Sequence, residues 1–189
     1  LSLAVTDGRG VGTWLAGAAL SAGAVAWASA SWVQARFIDR VGPRRLVTIG
    51  FSVLVGSIAL MLGVALGLPV GLAVVSWAAA GAGMGLSYSP LSVTVLAAAT
   101  PGEEGRASAA LQLSDTLGVA VGTGIGGAIV ALGDGRGWAV SSSTAIVFGV
   151  SVAVTALGLG AARRLPRRVP AGQAAAERAG PVEAAPAPA

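Results

Sequence analysis

The chain has no cysteine and no histidine, one tyrosine and three phenylalanines, and only 11% of its 189 residues are charged. Without cysteine there is no disulfide, thiolate metal site or thiol nucleophile, and without histidine the commonest proton shuttle and metal ligand are missing. Few catalytic constellations survive these absences, and the sequence holds no metal-ligand cluster. Lysine is missing too, so all twelve basic residues are arginine, which with the abundant alanine and glycine points to coding bias rather than function. A net charge of +4 raises the question of nucleic acid. The arginines, however, sit beside apolar segments and form no solvated basic face interleaved with aromatics, so a nucleic-acid partner is not expected.

What is present in quantity is apolar side chain: 54% of the residues are hydrophobic and the mean hydropathy is +0.79. A water-soluble domain must clothe its core in polar residues, and this chain has too few. A hydrocarbon layer about 30 Å thick takes roughly 20 apolar residues in a helix. Segments of that kind run from Val11 to Val33, Leu46 to Leu66, Val70 to Ala98, Ala107 to Leu132 and Trp138 to Ala162. They are too long and too continuously apolar for the alternating strands of a barrel, and backbone groups in lipid must be satisfied within the segment. The expected fold is therefore an all-α membrane protein with five transmembrane helices.

Arginines cost least beside the cytoplasmic ends of spans. The stretch Gln34 to Arg45, with Arg36, Asp39, Arg40, Arg44 and Arg45, reads as a cytoplasmic loop. Alternation then puts Arg106, Arg163, Arg164, Arg167 and Arg168 on the same side, and only Arg9 and Arg136 on the other. The spans form a domain over residues 11–165, preceded by residues 1–10 as the end of a truncated helix and an outer loop. Residues 166–189, rich in Ala, Pro and Glu, bury too little surface to order themselves and read as a disordered cytoplasmic tail. Its first arginines suit anionic lipid headgroups. The surroundings implied are a cell inner (plasma) membrane, crossed several times.

The motif Asp39-Arg40-Val41-Gly42-Pro43-Arg44-Arg45 between two apolar spans resembles the D-R-x-G-x-R-R loop of the major facilitator superfamily. Downstream, Gly81-Ala-Gly83-Met-Gly85-Leu-Ser-Tyr88-Ser-Pro90, then Thr100-Pro101-Gly-Glu103-Glu104-Gly105-Arg106-Ala107-Ser108-Ala109, then a glycine-rich helix, is similar to the last five helices of the drug-exporter branch. The resemblance implies helices eight to twelve of a twelve-helix transporter, with the N-terminal half of the same transporter as a missing partner. Ala35 stands where the motif usually has glycine, a departure that keeps the residue small.

Within that frame Asp39, Arg40, Gly42, Arg44 and Arg45 are the candidate gating loop. A carboxylate is attracted to a helix N-terminus, and such a contact can be made in one conformation only; the resemblance places the receiving helix in the opposite half. The alternative is that Asp39 pairs with Arg36, Arg40 or Arg44 and the loop is an anchor. By symmetry the helix start at Gly105, Arg106 and Ser108 would receive the missing half's aspartate, while Glu103 and Glu104 suit a first turn without any transport role. Asp115 is the one acidic residue within a span, with Gln112 one turn earlier; intramembrane carboxylates are functional candidates by default. Helical spacing puts it near the face of Gly118, Gly122 and Gly126, toward a close-packed neighbour. It either titrates with a coupling proton or clamps the two halves. Trp77, Tyr88 and the helix-kinking Pro90 are candidates for the substrate cavity. Trp14, Trp32 and Trp138 suit the interfacial aromatic belt.

The function expected is that of a secondary transporter, not an enzyme: proton-coupled export of small, largely apolar compounds by alternating access, with no cofactor beyond the proton gradient and the bilayer as solvent. The alternatives are an uptake symporter for a small polar nutrient, which should carry more cavity charge than Asp115, and a membrane protein that keeps the fold without transport.

Overall fold

The computed structural model describes residues 13–100 and 102–165, and the expected outer segment over 1–10 and tail over 166–189 lie outside the described residues. Those described fold into five helices: α1 (Thr13–Val41), α2 (Pro43–Ala65), α3 (Leu72–Ala97), α4 (Glu104–Gly135) and α5 (Val140–Ala162). There are no strands among them. Trp14–Val41, Pro43–Ala65, Glu104–Gly135 and Val140–Ala162 are long and apolar enough to cross a membrane. The expected all-α fold of five helices is thus observed, four of them meeting that length and apolarity and α3 standing as the fifth. At 26 residues α3 is long enough, but glycines 81, 83 and 85, serines 76, 87, 89 and 92, and Tyr88 dilute its hydropathy. Those small residues belong to its position: α3 is wedged between α1 and α2.

The packing around α3 follows from where its side chains are missing. A Cβ on Gly81 would run into the Gly23 carbonyl oxygen, and one on Gly85 would lie 2.5 Å from the carbonyl oxygen of Trp27. Gly81 and Gly85, one turn apart, therefore let α1 approach backbone to backbone. Gly83 and Ser87 do the same on another side: a Cβ on Gly83 would lie 2.8 Å from the Gly50 carbonyl oxygen, and one on Gly50 would lie 2.8 Å from the Ser87 Cβ. A buried hydrogen bond from the Ser76 hydroxyl to the Ser57 carbonyl oxygen, 2.7 Å, ties α3 to α2.

These contacts fix directions. Gly23 meets Gly81 and Trp27 meets Gly85, so α1 and α3 are parallel. Gly50 meets Ser87 and Ser57 meets Ser76, so α2 is antiparallel to α3. Phe51 of α2 packs on Gly158, while Met61 lies in a core with Leu15 and Ala73 against which Phe148 packs, so α5 is antiparallel to α2. Gly133 meets Ser143 and Gly126 meets Val147, making α4 antiparallel to α5. The bundle is strictly up-and-down, with its buried cluster of Leu15, Met61 and Ala73 at one end.

The opposite end holds the largest departure from expectation. Residues 34–45 are not a loop: α1 runs on to Val41, and Gly42 alone separates it from α2. Charge has to leave hydrocarbon, but it does not have to leave the helix, and Gln34-Ala35-Arg36 are good helix formers. The break comes where chemistry forces it, at Gly42 with φ 82°, followed by Pro43 in the first turn of α2, a position where a missing N–H costs nothing.

Candidate functional site

The α1–α2 corner brings the expected gating residues together. Asp39 and Arg40 occupy the last turn of α1, Arg44 and Arg45 the first turn of α2, and the Gly42 N–H donates to the Ile38 carbonyl oxygen at 2.9 Å. Arg40 suits the negative end of α1. Asp39 does not, and Arg44 and Arg45 are equally ill matched to the positive start of α2. Asp39 is exposed and makes no ion pair; among the described residues the one ion pair is Arg106 to Glu103, 3.4 Å. Arg36 turns away from Asp39 and stacks on Trp32, its guanidinium carbon 3.8 Å from the ring centroid. Arg136 lies over Trp138 at 5.7 Å at the other end of the bundle. Arg36 and Arg136, one at each end of the bundle, thus lean on tryptophan faces, an arrangement suited to an interfacial belt.

At the start of α4, Glu103 is the N-cap residue and Glu104 opens the first turn. The Gly102 N–H donates to Glu104 Oε2 at 3.0 Å. Further along, Asp115 and Gln112 are both exposed and neither side chain makes a hydrogen bond or ion pair among the described residues. A Cβ at Gly118 or Gly122 would meet nothing within 4 Å, and one at Gly126 would meet only Val147 at 3.6 Å. The face carrying Asp115 and these glycines is not covered by the described residues, whereas the glycines of α3 are.

Of the cavity candidates, Trp77 packs on α1, where a Cβ on Gly23 would lie 2.5 Å from its Cδ1. Tyr88, eleven residues on and so on the same side of α3, is 41% exposed. Pro90 is fully buried, on the side shared with Ser87 and Thr94, and α3 passes through it as one helix. Trp77 and Tyr88 therefore share the α1 side, and Pro90 lies on the α2 side. Two residues that sequence reasoning passed over belong here. Trp27 of α1 is 43% exposed and its ring centroid is 6.4 Å from that of Tyr88, tilted by 54°. Gln34, read as the start of a loop, is 3% exposed. The spacing of Gly23, Trp27, Ala30 and Gln34 at i, i+4, i+7 and i+11 marks them as one helical face, a signal that was visible once α1 is known to extend past Val33.

An up-and-down bundle of apolar helices, a single-glycine corner bearing Asp39 to Arg45 and glycine-mediated helix contacts together describe a multi-pass membrane protein with a charged corner between its first two described helices. The sequence profile of the Major Facilitator Superfamily matches residues 2–188. The chain belongs to that superfamily. No curated protein and no solved structure matches it. As a major facilitator chain it is part of a family of secondary transporters rather than of enzymes. In this major facilitator chain Asp39 at the α1–α2 corner and Asp115 on α4 are both exposed and make no ion pair among the described residues.

Proposed function

We propose that this chain is the C-terminal part, helices eight to twelve, of a twelve-helix exporter that expels small, largely apolar compounds at the expense of a proton gradient. The observation that carries the reading is Asp39, a carboxylate at the wrong end of its own helix dipole with no ion-pair partner among the described residues. Such a group gains most from the positive N-terminus of a helix supplied from elsewhere, in whichever conformation brings that helix close. Gly42, the one non-helical residue of the corner, concentrates any change of angle there.

Two further features support it. The face of α4 bearing Asp115, Gly118 and Gly122 is open to a second half, which a rocking transporter requires along its central seam. The middle of the bundle is poor in charge, with Asp115 as its one carboxylate, which suits an apolar substrate better than a sugar or amino acid. In this reading the protein sits in the cell inner membrane with the Asp39 corner facing the cytoplasm.

The test is transport by the full-length protein in inverted vesicles, with and without an imposed proton gradient. Asp39→Asn should leave the protein in the membrane and reduce gradient-driven efflux at least tenfold; Asp115→Asn should uncouple efflux from the gradient or slow it. Wild-type efflux that is indifferent to the gradient would reject proton coupling, and undiminished efflux in both variants would reject the residue roles.

A further inference from the structure

Where the start of α2 meets the end of α5, arginines gather without counter-charge. Phe51 of α2 packs on Gly158 of α5, where an added Cβ would lie 2.6 Å from the Phe51 ring. One turn closer to the α1–α2 corner, Val47 and Ala162 are both buried, each four residues from that contact on its own helix and so on the same face. Arg44 lies seven residues before Phe51, again on that face, while Arg163 and Arg164 lie five and six residues beyond Gly158. The two helices are antiparallel and packed together, so Arg44, Arg45, Arg163 and Arg164 come to one level at one end of the α2–α5 contact. Neither helix contains an aspartate or a glutamate. The one ion pair among the described residues is elsewhere, and none of these four side chains hydrogen-bonds among them.

We infer that this end of the α2–α5 contact is a docking site for an anionic phospholipid, whose phosphate sits among the arginines of the two helices and whose acyl chains run along their open faces. The inference goes beyond the transport reading and does not depend on what is carried. Guanidinium groups match phosphate oxygens in paired hydrogen bonds. The start of α2 adds to the positive field: it has no acidic residue in its first turn, and Gly42 gives it no side-chain cap. Apolar surface decides for a lipid over a soluble anion. Exposed Arg45 is followed one turn on by exposed Ile49, and on α5 the exposed Val150, Val154 and Leu157 run at helical spacing into exposed Arg164. Each helix thus offers an apolar stripe that ends in an arginine, and both arginines lie at the same end. A molecule that fits both parts is negative at its head and long and apolar behind it. Basic side chains at the ends of membrane spans attract such headgroups.

The test titrates the purified full-length protein in non-ionic detergent with phosphatidylglycerol or phosphatidylcholine of identical acyl chains, and reads the lipid bound per protein by native mass spectrometry. Wild type should bind phosphatidylglycerol at least tenfold more tightly than phosphatidylcholine. The double variant Arg163→Gln, Arg164→Gln should weaken phosphatidylglycerol binding about twenty-fivefold, or roughly fivefold for each basic residue lost beside an anionic headgroup. Its phosphatidylcholine binding should be unchanged, which certifies its fold. Arg136→Gln removes a charge of the same kind at the other end of the bundle and should alter neither lipid's binding. Equal binding of the two lipids by wild type, undiminished phosphatidylglycerol binding by the double variant, a comparable loss in Arg136→Gln, or displacement of phosphatidylglycerol by inorganic phosphate at matching concentration overturns the site. Each of these results leaves the export reading standing, because efflux is not what is measured.

Discussion

Asp39 separates the two accounts of the charged corner by a measurement on stability alone. If it anchored the corner through Arg36, Arg40 or Arg44, Asp39→Asn would cost stability. The structure has no such pair, and a carboxylate at a helix C-terminus is unfavourable by about 0.3–1 kcal/mol. Asp39→Asn should therefore leave the melting temperature in detergent unchanged or slightly raised. Ser76 is the opposite case: its buried bond to the Ser57 carbonyl joins α3 to α2. Ser76→Ala should destabilise by about 0.6–1.7 kcal/mol, the range found for hydrogen bonds between membrane helices, read as a lower melting temperature. Asp39 was legible in the sequence because charge between apolar runs stands out. Trp27 and Gln34 were not, since an indole or an amide in an apolar run looks the same whether it meets lipid, a neighbour or a cavity; only the contacts of Gly85 and the burial of Gln34 decide.

At the scale of the element, glycines that look alike in sequence have different duties. Those of α3 are spoken for: a Cβ at Gly81 or Gly85 collides with the backbone of α1, and helix backbones yield little. Gly81→Ala should destabilise the bundle by about 1–3 kcal/mol, the usual cost of overpacking. Gly118→Ala, with nothing nearby among the described residues, should leave the stability within about 0.5 kcal/mol, and the same melting experiment compares the two. Helix positions followed directly from apolar run length, and the ends of α2, α3 and α5 fall close to those expected. The end of α1 did not, because hydropathy locates where a helix leaves lipid while Gly42 and Pro43 locate where it stops. Which glycine faces which helix is a tertiary fact, invisible to a periodicity that marks all small residues equally.

For the whole molecule, the alternating directions of the five helices gather Arg36, Arg40, Arg44, Arg45, Arg106, Arg163 and Arg164 at one end and leave Arg136 at the other. The arginine pattern of the sequence and the packing of the helices are independent, and they agree on which ends lie together. The bilayer account stands or falls on those two ends facing different compartments. Single cysteines are readily introduced into a chain that has none. With Arg40→Cys and Arg136→Cys in right-side-out vesicles, an impermeant maleimide should label the cysteine at 136 at once and the one at 40 only after permeabilisation. Labelling of both before permeabilisation, or of both only after it, would contradict the account.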